Sequence, residues 1–406
     1  MSIVLAYSGG LDTSVALHWL RERYQTDVIA YCADVGQVED LDTVAERAMA
    51  SGAKDVIVED VRERFLTDFA MPAMAAGAAY EGKYLLAAPL SRPLIAQRLV
   101  EVAREHGADT VAHGATGKGN DQVRFYTSVR ALAPELRVSA PVIDWELTSR
   151  RSEVAYAEKH GIDVGASKST PYSIDTNIWG TSIECGDLDR IDQAPPADAW
   201  QITASAQEAP DERLVLEIEF ERGVPVAIDG TRMDLVPLVS QLSGLAAAHG
   251  VGRTEILESR IVGFKSRGIY ESPAATVLHA ARSDLEALVL DRETLHHKRS
   301  FSERYAELVY YGYWFSDLRR ALDAYCSTLA ARMTGSVVVE LYKGGMRCVG
   351  RTSEEFGRYD LGLADYEEGD TFDRTAGAGF AYCWALPLVP SGPMAPGTAG
   401  SRGRAR

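Results

Sequence analysis

The residues best suited to chemistry lie in two glycine-rich stretches. The first reads Ala6-Tyr7-Ser8-Gly9-Gly10-Leu11-Asp12-Thr13-Ser14. It follows a short apolar run and opens a helical pattern with Leu11, Val15 and Trp19 on one face. Two glycines let the chain turn tightly, and the free N–H groups of a helix start attract anions. Ser8, Thr13 and Ser14 add hydroxyl donors. Asp12 would repel a bare phosphate but suits a site where magnesium bridges phosphates. The plainer alternative is a turn in which Asp12 complements the helix dipole. The second stretch is His113-Gly114-Ala115-Thr116-Gly117-Lys118-Gly119-Asn120-Asp121, then Gln122-Val123-Arg124-Phe125. It is no Walker A loop, because Gly119 follows Lys118 where Ser or Thr is required. Lys118 can neutralise phosphate, Asp121 can pair an ammonium and Arg124 a carboxylate. The alternative is a glycine loop carrying solvated polar residues.

Both stretches sit at the ends of expected strands. Residues 3–7, 27–33, 54–58, 109–113 and 137–142 read as strands, and 40–51 and 92–106 as helices, the latter closed by Gly107. This alternation implies a parallel sheet with helices on both faces, and ligands beyond the carboxyl ends of its strands. After about residue 166 the rhythm changes. Residues 190–213 read as a long loop, 214–229 and 336–351 as hairpins, and 233–249, 273–297 and 302–333 as helices. The expected fold is therefore α/β, a doubly wound parallel domain over 1–165 followed by an α+β domain over 166–360. Residues 361–386 form a third segment, and the Pro- and Gly-rich residues 387–406 read as a disordered tail.

Composition narrows the class. The 406 residues are 46% hydrophobic and 25% charged, with a net charge of −16. That balance speaks against nucleic acid as a partner. No apolar run is long enough for a membrane span. The five cysteines form no CxxC pair, which fits a reducing, cytoplasmic setting. His296-His297 reads as surface, since adjacent helical residues do not share a face.

The first stretch resembles the signature of PP-loop ATP pyrophosphatases (adenine nucleotide α-hydrolase-like domains). With the second stretch about a hundred residues on, the chain resembles the argininosuccinate synthase family. Ala33-Asp34-Val35-Gly36-Gln37, residues 171–175, residues 178–185, Glu258-Ser259-Arg260, residues 265–271 and residues 306–311 extend the resemblance from 2 to about 386. It implies a ligase with a synthetase domain, joining citrulline to aspartate with ATP and magnesium in a cytoplasmic homotetramer whose C-terminal arm reaches across subunits. It also implies roles. Residues Ala6, Tyr7, Ser8, Gly9, Gly10, Leu11, Asp12, Thr13 and Ser14, with Ala33 and Gly114, would contact ATP. Thr116, Asn120 and Asp121 would hold aspartate. Tyr84, Asn120, Arg124, Ser173, Ser182, Glu258 and Tyr270 would hold citrulline. Asp12, Lys118 and Asp121 are the catalytic candidates, and no protein cage for a metal is expected. By residue type alone, Tyr84 and Tyr270 would be packing residues, Glu258 a solvated strand residue, and Ser173 and Ser182 turn hydroxyls.

One stretch departs from the family pattern. Where the family commonly has YLLGTSLARP, this chain has Tyr84-Leu85-Leu86-Ala87-Ala88-Pro89-Leu90-Ser91-Arg92-Pro93, so two hydroxyls are missing. A different ureido substrate, a tRNA-modifying PP-loop enzyme and a catalytically silent relative are the alternatives. The cradle itself makes a prediction: ATP should yield AMP and pyrophosphate in a magnesium-dependent reaction. Chromatography of the nucleotide products checks this, and stoichiometric ADP would sink the assignment.

Overall fold

The computed structural model describes residues 2–163, 171–367 and 370–389. Strands β1 (Ser2–Ala6), β2 (Asp27–Asp34), β3 (Asp55–Asp60), β4 (Thr110–Ala112) and β5 (Arg137–Ser139) form one parallel sheet in the order β3-β2-β1-β4-β5. Alternate residues of β1 serve opposite faces. Ile3 and Leu5 pack under the helices Leu11–Tyr24 and Leu41–Ala50, and Val4 under Ala87–Glu105 and Asp121–Leu132. The sheet is thus buried on both sides, as parallel sheets require. The order reverses between β1 and β4, and the loops leaving those two strands are the two glycine-rich stretches.

The strands β6 (Ser173–Asn177), β7 (Gly180–Glu184), β8 (Leu214–Glu221), β9 (Val224–Ile228), β10 (Thr231–Arg232), β11 (Arg253–Ser259), β12 (Lys265–Glu271), β13 (Gly335–Tyr342) and β14 (Gly345–Thr352) follow. They build two sheets, β11-β12-β7-β6 and β10-β9-β8-β13-β14. Their pairings are antiparallel. The described residues up to 357 form one compact unit. The expected domain boundary near residue 165 lies outside the described residues, as do residues 390–406 of the tail expected from 387, while Leu386–Leu388 forms a 3-10 turn that carries order past the expected start of that tail. A second unit begins at Arg358. It holds helices Leu361–Ala364 and Arg374–Ala385, no residue of which is buried.

Several boundaries differ from the sequence reading. The helix expected at 92–106 begins at Ala87. Its first turn accommodates Pro89, where a missing N–H removes no helical bond. The stretch 273–297 divides into Pro273–Val289 and the start of Arg292–Tyr310, because Asp291 accepts the Thr294 N–H as an N-cap. Ser316 likewise starts Asp317–Ala330. The strand expected over 137–142 stops at Ser139, and Pro141–Asp144 turns helical. The loop over 190–213 contains a 3-10 turn at Ala197–Ala199 and is anchored beyond it. Glu271 accepts from the N–H groups of Gln201, Ile202 and Thr203.

The seam between the parallel sheet and the β6–β7 hairpin is closed by backbone. Ile178 donates its N–H to Val35 O at 2.8 Å. Gly36, at φ +91, sits so close that a Cβ would lie 2.8 Å from Ile178 Cβ and 2.9 Å from its nitrogen. A side chain there meets both the wrong φ and occupied space. Gly36→Ala should therefore lower stability by about 1–3 kcal/mol, read as a shift of the urea unfolding midpoint at unchanged slope.

Candidate functional site

The cradle is held open by its own side chains. Gly9 turns at φ +76, and its carbonyl accepts from Arg47 Nη1 at 2.7 Å. Gly10 caps the helix Leu11–Tyr24 without any side-chain bond to its first N–H groups. Those groups are the orphan donors that bind anions at helix starts. Ser8 and Thr13 share a hydroxyl contact of 3.2 Å, and Tyr7 and Ser14 one of 2.8 Å. Gly114 lies against this turn, where a Cβ would meet Thr13 Cγ2 at 2.8 Å. The two glycine loops therefore touch at the point where strand order reverses, the usual ligand crevice of such sheets. Ala33 ends β2 alongside, its carbonyl held by Gln37 Nε2 at 2.7 Å.

Asp12 has a neighbour that sequence reasoning missed. Glu153, on the helix Arg150–His160, is only 8% exposed. Burial and the adjoining Asp12 carboxylate push its pKa up to about 7. Two carboxylates thus crowd the cradle mouth. Ser149 caps this helix by accepting the Ser152 N–H, and nothing in the sequence marked Glu153 as a neighbour of Asp12.

The second loop divides into an exposed tip and a buried base. Thr116 and Lys118 are exposed. His113 is buried, stacks on Phe125 and accepts the Ala115 N–H; burial lowers its pKa to about 4, so it is neutral. Asn120 is engaged on both sides, donating to Tyr310 Oη at 2.8 Å and accepting from Ile261 N at 3.0 Å. Asp121 begins the next helix between two guanidiniums, Arg92 Nε at 2.9 Å and Arg124 Nη1 at 2.7 Å. Burial alone would raise its carboxyl, but Arg92 and Arg124 hold it well below the usual carboxylate range. Arg92 also pairs with Asp175 on β6.

Arg124 is the most telling residue. It is buried, donates from Nε to Tyr310 O at 2.9 Å, and lies over the Tyr310 ring. Its Nη2 is buried without a partner. A guanidinium N–H left so is costly unless a ligand completes it.

The second sheet supplies the opposite charge. Tyr84 and Tyr270 stack at 3.8 Å, and Tyr84 shares a hydrogen bond of 3.1 Å with Ser182. Tyr270 donates to Glu258 at 2.9 Å, and burial raises the pKa values of both tyrosines. Glu258, far from solvated, is 1% exposed. Glu184 pairs with Arg260; burial nonetheless raises its carboxyl, with Glu258 and Asp121 adding to the effect. Ser173 lies opposite Glu184 in the β6–β7 register and is exposed. Of the expected citrulline residues, Tyr84–Ser182 and Tyr270–Glu258 are two hydrogen-bonded pairs, joined by the stack of Tyr84 on Tyr270. Asn120 and Arg124 meet at Tyr310, which the resemblance had placed only in a matching stretch.

Comparison with known proteins agrees with this geometry. Residues 2–163 match the family model of the arginosuccinate synthase N-terminal HUP domain, and 172–389 that of the C-terminal domain. An argininosuccinate synthase from Rhodococcoides fascians is 76% identical over 389 residues, 96% of this chain and 98% of that one. Another from Chlorobium phaeobacteroides is 49% identical over 386 residues, 95% and 96% of the two chains. Among solved structures, the U34-tRNA thiolase NcsA from Methanococcus maripaludis covers 43% of this chain and 60% of its own at 16% identity and a TM-score of 0.28, too slight a likeness to argue from.

The Asp12–Glu153 pair makes a pH prediction. Glu153 has a folded pKa of about 7 against an unfolded value of 4.5. The stability tied to its neutral form is fully present below pH 4.5 and lost as pH rises through about 7. Glu153→Gln should therefore be more stable than the parent by about 1–3 kcal/mol at alkaline pH, with the gap closing in mild acid. Urea titrations without magnesium or nucleotide measure this, and an equal gap at both pH values would exclude the pair as its source.

Proposed function

The chain belongs to the argininosuccinate synthase family, and from that premise we propose that it joins L-citrulline to L-aspartate with ATP, as a step of arginine biosynthesis. The observation that carries the reading is the unpartnered Arg124 Nη2 in a cluster that also holds Glu184 and Glu258. A pocket with a free cationic donor and buried carboxylates suits zwitterionic amino acids, and a phosphate cradle adjoins it. A bare binding protein would gain little from such a pairing.

Citrulline has a neutral, unreactive ureido group. Its oxygen attacks the α-phosphorus of ATP, and the bond to the β-phosphate breaks, giving citrullyl-AMP and pyrophosphate. The aspartate amine then bonds to the ureido carbon as the carbon–oxygen bond to AMP breaks. The Gly9–Gly10 turn with Ser8, Thr13 and Ser14 takes the pyrophosphate, and Ala33 and Gly114 line the nucleotide. Lys118, at the loop tip, closes on the phosphates. Tyr84, Asn120, Arg124, Ser173, Ser182, Glu258 and Tyr270 hold citrulline, and Thr116, Asn120 and Asp121 hold aspartate. The depressed pKa of Asp121 supports a charge role for it; the proton of the aspartate amine goes to the phosphate of AMP. Catalysis is then mainly positioning, charge stabilisation and exclusion of water from the adenylate.

Magnesium suits the cradle mouth, because two crowded carboxylates are relieved by a divalent cation. Asp12 would hold it with the phosphates, where it neutralises charge developing on pyrophosphate. The exposed side chains of Phe380, Tyr382 and Trp384 support a homotetramer in which this helix serves as the arm. No described helix is long and apolar enough to cross a membrane, and a cytoplasmic setting fits the free cysteines.

ATP–pyrophosphate exchange tests the reading. Exchange should require citrulline and proceed without aspartate. Among ureido acids at fixed ATP and aspartate, citrulline should show the highest kcat/KM, with affinity roughly three- to tenfold weaker than in relatives carrying a serine at the Pro89 position. Exchange without citrulline would refute the order of steps, and a better ureido acid would move the substrate while leaving the ligase chemistry.

A further inference from the structure

A second cluster lies on the same two helices as the Asp12–Glu153 pair, and the reaction does not use it. His18 and Glu22 stand one turn apart on Leu11–Tyr24, and His160 ends the helix Arg150–His160. One ligand atom from each lies within 4.8 Å of the others. We propose that His18, Glu22 and His160 form a binding site for a borderline divalent transition ion of the zinc, nickel and cobalt class, which fastens the cradle helix to the helix bearing Glu153.

The donor set argues for that class. Two imidazoles and one carboxylate suit zinc, nickel or cobalt, whereas magnesium prefers an all-oxygen shell. The orientation of His18 is already fixed. Its Nδ1 is 3.1 Å from Tyr156 Oη, the kind of outer contact that aims the other nitrogen of a metal-binding histidine. That other nitrogen, Nε2, lies 3.9 Å from Glu22 Oε1. This is too long for a hydrogen bond. It is close to the roughly 3.3 Å between two ligands each about 2.0–2.1 Å from one tetrahedral ion. His160 completes the set, its ring 4.6 Å from that of His18 and stacked on Tyr156 at 4.3 Å. His18 and His160 are both half-buried, so their rings are held by packing before an ion arrives.

The placement gives the site a consequence. Asp12 meets Glu153 at one end of this helix pair, and His18 meets His160 one to two turns further on. An ion there fixes the relative position of the helices that set the carboxylate pair.

Isothermal titration of the full chain, stripped with a chelator, with zinc chloride in excess magnesium tests the proposal. One ion per chain should bind and raise the melting temperature, reversibly on chelation. His18→Asn and His160→Asn should each weaken binding at least about tenfold, and Glu22→Gln should weaken it less. Cobalt(II) should give visible d–d bands without a thiolate charge-transfer band. Absence of saturable one-to-one binding overturns the proposal. So does full affinity in His160→Asn, a variant at a helix end where folding is least at risk, or a thiolate band, which would place the ion on a cysteine.

Discussion

The site depends on one half-buried ionic junction. Arg92 leaves the long helix Ala87–Glu105 and meets Asp121 at the start of another helix and Asp175 on β6. Three elements far apart in sequence are fixed by one guanidinium. Its planar fork suits this better than a lysine, because each carboxylate is met by a directed N–H. Removing one partner of such a junction leaves a half-buried charge uncompensated, a loss larger than the roughly 0–1 kcal/mol of an exposed pair. The junction also sets chemistry. It orders the Asp121 carboxylate, engages one side of Arg124, and so leaves Arg124 Nη2 as the free donor.

The same logic separates the two acidic centres. Asp121 is half-buried but flanked by Arg92 and Arg124, which hold it well below the usual carboxylate range, so it stays ionised and gives a fixed negative charge. Glu153 is buried beside another carboxylate, and Arg150 offsets this only in part, so its pKa is pushed up to about 7. Environment, not residue type, assigns the one to charge complementarity and the other to a local strain that a cation relieves. A cradle that is electrostatically incomplete by itself favours arrival of phosphate and cation together.

Local features of the site were legible in the sequence. The strand–Ser8-Gly9-Gly10–helix turn needs only neighbours in the chain, and so does Gly107, whose φ of +62 suits the C′ position read for it. The doubly wound domain followed from periodicity. What periodicity did not mark were caps inside continuous apolar spacing, which is why Asp291 and Ser316 were passed over. Nor did it mark partners brought together by the fold. Glu153 beside Asp12, Tyr310 on Asn120 and Arg92 on Asp175 are contacts across 141, 190 and 83 positions. The strands β6, β7, β11 and β12 were noticed only as motif fragments, since functional polar residues interrupt their alternation. Glu258 shows the cost of judging by type: a strand glutamate is usually solvated, but here the Tyr84–Tyr270 stack covers it.

The Ala87-Ala88-Pro89 departure also has a structural logic. Leu86 adopts a left-handed conformation at φ 66, and the helix begins at once. The Ala88 N–H is engaged by Tyr84 Oη at 3.2 Å, and the Ala87 carbonyl accepts from Asn177 Nδ2 at 2.8 Å. Proline at the next position removes an N–H that no helical carbonyl would have accepted, so it disturbs none of these bonds. It does stand where the family pattern that the resemblance implies has a hydroxyl. Ser91 does not restore it directly, because its Oγ is fully buried, donating to Ala88 O and accepting from Arg92 Nη1. Ser91 instead steadies Arg92. The turn thus lacks that hydroxyl while the ionic junction behind it gains a support from Ser91. The citrulline recognition proposed above therefore leans more on Tyr84, Ser182 and Arg124, and the junction engages Arg124 through Asp121.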